Sequence, residues 1–187
     1  MSQIICGIDP SVTGTAIAIG NGKRWSVTRF PGGDSDGKAI PARFGRYEKI
    51  LAEIIPHLEA LKPAVIFLED YAYGSATSYT FEFGAMLRWH LIDVTQAIHC
   101  VAPSTLKKFA IGKGAGDKEV MADAIKREWG QVFPTSDHAD AFALYRLGLC
   151  ACGLAPITNQ AQREAVEKVV GKELLSFAPA DVAGAPF

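Results

Sequence analysis

Four acidic residues stand where an ionised carboxylate is costly without a partner. Asp9 closes a short apolar run, Ile4-Ile5-Cys6-Gly7-Ile8, and Glu69 closes another, Ala64-Val65-Ile66-Phe67-Leu68. Asp137 and Asp140 lie three residues apart at the start of an Ala/Leu-rich segment. That spacing puts both on one helix face. Carboxylates brought together repel, and their pKa values rise unless cations intervene. Hard divalent cations take oxygen ligands, and two of them about 3.5–4 Å apart can activate a water and stabilise the leaving oxygen of a phosphate ester. Each acid alone has a plainer reading: Asp9 as a turn residue before Pro10, Asp137 as a helix N-cap, Asp140 as a solvated side chain. All four in this order are hard to ascribe to chance.

The elements that must position them are legible from periodicity. Residues 4–8 read as a buried strand stopped at Asp9-Pro10. Residues 14–19 and 24–30 read as two further strands, joined at the hairpin signal Asn21-Gly22. A polar, Gly-rich loop follows over 31–37. Phe44, Tyr47, Leu51, Ile54, Leu58 and Leu61 then recur at helical spacing, ending before Pro63. Residues 64–68 form a second continuous apolar run. A strand–helix–strand crossover between two buried runs predicts parallel pairing in a mixed sheet, with both acids at carboxyl ends of strands. A helix over 78–95, a strand over 97–101, a short helix from Pro103 to Phe109, a helix capped by Asp117 and a helix from Asp137 to Cys150 complete the core. The chain divides into a domain over 1–152 and an extension over 153–187, helical near 159–175 and fraying toward Pro179 and Pro186.

The segments Gly7-Ile8-Asp9-Pro10-Ser11-Val12-Thr13-Gly14-Thr15, Phe67-Leu68-Glu69-Asp70-Tyr71 and Asp137-His138-Ala139-Asp140-Ala141-Phe142-Ala143 together resemble the RuvC Holliday-junction resolvases of the ribonuclease H-like nuclease superfamily. The resemblance spans roughly residues 3–150 in order and spacing. It implies an α/β ribonuclease H-like fold: a five-stranded mixed sheet, antiparallel meander plus parallel strands, flanked by helices. It implies that Asp9, Glu69, Asp137 and Asp140 bind two Mg²⁺ or Mn²⁺ ions and hydrolyse DNA to 5′-phosphate and 3′-hydroxyl ends. The implied substrate is branched DNA, chiefly the four-way junction, and the implied assembly is a homodimer built on the helix at 78–95. Ser11 stands where the family commonly has Gly, the first loop is short, and the tail has no family counterpart. These departures suggest a phage or prophage branch, with an unidentified branch-migration or packaging partner.

Lys107 and Lys118 match positions where the family carries basic residues near the cleaved strand, and Lys118 could stabilise charge in the transition state. Lys108 and Lys113 flank the same Gly-rich loop, as DNA contacts or as ordinary surface lysines. Tyr71 and Tyr73 follow Glu69; the family stacks an aromatic from this loop on unpaired bases, and Tyr71 is the favoured candidate. His138, one residue past Asp137, points off the acid face and reads as a neighbour. A basic group, Lys23, Arg24, Arg29, Lys38, Arg43, Arg46 and Lys49, tracks a duplex arm or forms a solvated face. Rival readings are a related nuclease for flapped or other branched DNA, and a phosphate-binding ATPase of the actin and sugar-kinase type. The second meets Ser at position 11, and 187 residues are few for its two lobes.

Composition narrows the class. At 49% hydrophobic and 21% charged, the chain is neither disordered nor fibrous. The net charge of -1 gives no global pull toward nucleic acid. Four of the acids are assigned to a metal site, however, so a metal-loaded surface would be basic where DNA lies. Four cysteines without a CxxC pair, no long apolar run and no basic, apolar leader predict a cytoplasmic, reducing setting with no membrane association.

Overall fold

The computed structural model describes residues 3–33, 39–74 and 76–171. Five strands form one sheet in the order β3-β2-β1-β4-β5: β1 (Ile5–Asp9), β2 (Gly14–Gly20), β3 (Trp25–Pro31), β4 (Val65–Glu69) and β5 (Ile98–Val101). The first three make an antiparallel meander, while β4 pairs parallel with both β1 and β5. The mixed sheet expected from the sequence is therefore present. Lys38, the 34–37 part of the Gly-rich loop and the end of the tail beyond 171 lie outside the described residues.

Helices cover both faces, which explains why β1 is buried at every position. Alternation sorts its side chains. Cys6 and Ile8, with Ile17, Ile19, Ile66 and Leu68, pack against α1 (Ile40–Leu61) and α2 (Ser78–Val94). Ile5, Ala16, Ala18 and Phe67 pack on the other face, against α3 (Pro103–Ile111), α4 (Lys118–Trp129) and α5 (Ser136–Ala151). The same parity decides where the acids point. Asp9 belongs with Ile5 and Gly7, and Glu69 with Phe67, so both acids project toward the α5 face.

Helix α5 is the central prop of that face. Ala139, Ala141 to Tyr145 and Leu147 to Cys150 are buried. Its closeness to the sheet depends on two glycines. A Cβ at Gly7 would lie 2.3 Å from the Tyr145 backbone nitrogen and 2.5 Å from the Ala141 carbonyl oxygen. A Cβ at Gly148 would meet Ile5 and Phe67 side-chain atoms at 2.6 Å. The cap of α5 is Thr135, whose hydroxyl accepts from the His138 amide, so Asp137 is not the N-cap but sits in the first turn. A carboxylate is favoured there by the helix dipole.

Part of the extension packs back on the core. Helix α6 (Gln160–Val170) buries Ala165 and Val166 in the same cluster as α3 and α5. Buried Gln162 accepts from the Thr158 amide and hydroxyl. The periodic signal at 159–175 was visible in the sequence; its partner surface on α3 was not.

Candidate active site

The acids meet because register and helix position coincide. Ile8 pairs with Leu68, so Asp9 and Glu69 stand next to one another at the carboxyl ends of parallel strands. Helix α5 runs beneath them and presents Asp137 and Asp140 from its first two turns. Asp9 is 9% exposed, and its carboxyl shares a hydrogen bond with Glu69.

The electrostatics are those of crowded anions. Asp9 is held well above the ordinary carboxylate range, first by burial, then by Glu69, Asp140 and Asp137. Glu69 is raised to about 7, chiefly by burial, with Asp140 adding to the shift and Lys107 opposing it. Asp140 is raised to about 6 by burial and Asp137, against Lys107 and Lys118. The donor set is all oxygen, matching hard divalent cations rather than zinc or copper. A cation among them would relieve the repulsion that otherwise keeps them protonated. Among the described residues, however, no three His, Cys, Asp or Glu side chains already stand in metal-holding geometry. Asp9 and Glu69 are turned to each other, and Asp137 is turned to Arg29, whose Nε donates to Oδ2 at 2.9 Å.

Beside the acids lies a cleft of about 840 Å³, lined by Glu69, Asp140, Tyr71, Lys107, Lys118 and Phe133 among others. Of the sequence-predicted lysines, Lys107 and Lys118 are brought to the acids. Lys107 also donates to the Gly116 carbonyl at 2.7 Å, pinning the Gly-rich loop. Lys108 is not brought there; it pairs with Glu164 of α6. Lys113 is exposed and does not line the cleft. His138 is a neighbour, as its register indicates: its Nδ1 lies 2.7 Å from the Thr135 hydroxyl.

The two tyrosines are held differently. Tyr71, the favoured one, is locked down. Arg88 stacks on its ring at 4.0 Å from the centroid, its hydroxyl donates to the Phe81 carbonyl, and a Cβ at Gly84 would strike the ring at 2.6 Å. Tyr73 is 72% exposed and leans edge-on against Tyr71. The free aromatic face is therefore Tyr73, with Tyr71 as its platform.

The basic group is also partly spoken for. Arg43 pairs with Glu82, and Arg46 donates to the Gly32 and Val12 carbonyls, tying two loops together. Lys23, Arg24 and Lys49 are exposed. Sequence reasoning placed Arg29 in this basic group, as a track for a duplex arm or a solvated face, and missed its contact with Asp137. The signal was present: Trp25, Val27 and Arg29 alternate onto the α5 face. Ser11, where glycine was the family norm, has no left-handed backbone; its hydroxyl accepts from the Thr13 amide, and its carbonyl accepts from the Thr15 hydroxyl.

Fold and site together define a ribonuclease H-like domain with four acids at the carboxyl ends of its strands and the start of α5. Within that class the chain's sequence and fold are similar to those of RuvC proteins. No family model matches it. It is 27% identical over 165 residues to the crossover junction endodeoxyribonuclease RuvC of Chlamydia muridarum, covering 83% of this chain and 95% of that protein. Its fold resembles Thermus thermophilus RuvC, with a TM-score of 0.56 and 19% identity over 76% of this chain and 91% of that one. It also resembles T. thermophilus RuvC in complex with a Holliday junction substrate, with a TM-score of 0.59 and 17% identity over 76% and 90% of the two chains. No helix among the described residues is long and apolar enough to cross a membrane.

Proposed function

We propose that this protein is a metal-dependent, structure-selective DNA endonuclease that resolves four-way junctions. The observation that carries the reading is the convergence of Asp9, Glu69, Asp137 and Asp140 at one edge of a RuvC-like fold. Those four carboxylates would hold two Mg²⁺ ions, with Mn²⁺ as substitute. When bound, such ions polarise phosphate oxygens and supply a nucleophilic water. The chain's own residues do the rest. Lys107 and Lys118 neutralise backbone phosphate at the cleft, and the strands hold Asp9 and Glu69 in fixed register.

A homodimer fits the two-fold symmetry of a four-way junction and would present two sites for paired nicks. Helix α2 supports it: Phe81, Trp89 and Ile92 are exposed along one face, Trp89 at 72%. Exposed apolar side chains in a row mark an association surface.

The test is a cleavage panel in Mg²⁺ with four-way junction, three-way junction, flap and linear duplex. The four-way junction is expected to be cut fastest, giving 5′-phosphate ends. Preference for the flap would shift the substrate to the related branched-DNA nucleases, and no cleavage of any DNA would overturn the reading.

The exposed ring of Tyr73 gives a second prediction. Stacking on an unpaired base is worth about 1–3 kcal/mol. Tyr73→Ala should therefore cut junction cleavage by roughly tenfold or more while leaving thermal stability within about 0.5 kcal/mol. Tyr71→Ala should instead lower stability by about 2 kcal/mol or more, because it empties the seat between Arg88 and Gly84. Denaturant melts and junction kinetics on both variants separate the two roles.

A further inference from the structure

We propose that Arg29 is a positioning residue of the acid site: it holds Asp137 on its guanidinium in the metal-free protein and yields it to a divalent cation. The proposal rests on the proposed metal site and adds to it an internal competitor for the metal.

The sheet itself brings the residues together. Asp9 pairs with Ala16, and Ala16 pairs with Arg29. Glu69, Asp9, Ala16 and Arg29 therefore form one row across β4, β1, β2 and β3, all on the α5 face. Neighbouring strands are about 4.8 Å apart. Ala16 is the smallest side chain that can stand between the acids and the arginine. It leaves the guanidinium a clear path toward the start of α5.

The seat of Arg29 is built, not incidental. Its Nε donates to Asp137 Oδ2 at 2.9 Å, and its Nη2 donates to the Thr13 carbonyl at 3.1 Å. The guanidinium passes directly over Gly14, where a Cβ would lie 1.9 Å from Nη2 and 2.1 Å from Cζ. Only glycine admits it there. The other oxygen of Asp137 accepts from the Ser136 hydroxyl at 3.3 Å. Both oxygens of the carboxylate are thus engaged, so a cation that draws Asp137 toward the other three acids competes with the Arg29 contact.

The consequence is an ordered closure. Asp9, Glu69 and Asp140 answer to a cation first, and Asp137 joins when the cation outcompetes the guanidinium. Arg29 also cancels one negative charge of the cluster while no metal is present.

The test uses the full chain without DNA and reads Mn²⁺ affinity by calorimetry and by paramagnetic resonance of free Mn²⁺. Arg29→Gln removes the competitor. A partly exposed, charge-assisted pair is modest in strength, so half-saturating Mn²⁺ should fall about three- to tenfold. Arg29→Lys, which keeps the charge but loses the fork, should fall between the two. Gly14→Ala provides a second route, because it drives the guanidinium off its seat with the charge intact; it too should tighten Mn²⁺ binding. Unchanged or weaker Mn²⁺ binding in folded Arg29→Gln and Gly14→Ala overturns the competitor role while leaving the metal site standing. Wild-type protein showing no Mn²⁺ binding that Asp9→Asn removes would instead overturn the metal site itself.

Discussion

Asp9→Asn is expected to abolish junction cleavage while junction binding in Ca²⁺ survives. The amide can still hydrogen-bond Glu69, so the fold has no reason to change. What is lost is the anion at the centre of the cluster. Transition-state stabilisation by bound metal is worth several kcal/mol, which at about 1.36 kcal/mol per decade is a rate loss of about 10³-fold or more. The same substitution should make the metal-free protein more stable at pH 8. Glu69 is raised from 4.5 to about 7 and Asp140 from 3.8 to about 6. Groups with raised folded-state values contribute stability that is full below their unfolded values and is lost as pH rises through the folded ones. Metal-free wild-type protein should therefore weaken progressively from about pH 4 to pH 7, where these acids ionise in the unfolded chain before they do in the folded one. Asp9 is itself held well above the ordinary carboxylate range, first by burial and then by Glu69, Asp140 and Asp137, so replacing it with a neutral amide removes a destabilising acid at pH 8 and changes little at about pH 4. Saturating Mg²⁺ should reverse the ranking, stabilising the wild type more than the variant. Denaturant melts across pH, with and without Mg²⁺, check both signs. Wild-type cleavage rates in Asp9→Asn would sink the nuclease assignment.

The four acids were legible because each broke a local rule. A carboxylate at the end of a five-residue apolar run is conspicuous in sequence, and the i, i+3 pair announces a shared helix face. The strands were equally plain, since apolar runs and the Asn21-Gly22 turn carry their own signals. What sequence could not show is which exposed-looking residue faces inward from a neighbouring element. Tyr71 and Tyr73 differ by two positions in one loop. Only the packing of Arg88 and Gly84 on α2 decides that Tyr71 is held and Tyr73 is free. Lys108 carries the same charge as Lys107, yet one helical position turns it to Glu164 instead of the cleft. Arg29 belonged to a basic tally until the cross-strand register set it in line with Asp9. These are long-range facts: each depends on a contact between elements distant in the chain.

Gly7 is the clearest such case, and its replacement by alanine is the second large effect expected. It lies two residues before Asp9, on the face of β1 that α5 covers. A Cβ there would be 2.3 Å from the Tyr145 nitrogen and 2.9 Å from the Leu144 carbonyl carbon. These are backbone atoms of a helix buried on nearly every side, so no side chain can swing aside. The helix must retreat from the sheet or the strand must shift. Overpacking of this kind costs about 3 kcal/mol or more. It also acts on the site, because β1 carries Asp9 and α5 carries Asp137 and Asp140. A displacement of about 1 Å at the reacting centre can cost about 10²-fold in rate. Gly7→Ala should therefore lose both stability, read by urea melts, and cleavage, read at a low temperature where circular dichroism confirms the folded state. Mn²⁺ binding should weaken in parallel, since the acids no longer converge. Gly45→Ala is the control: a Cβ there meets nothing within 4 Å on α1, so helix propensity alone should raise stability by up to about 1 kcal/mol with cleavage unchanged. A Gly7→Ala protein as stable and as active as its parent would show that the contact of α5 with β1 does not set the spacing of the acids.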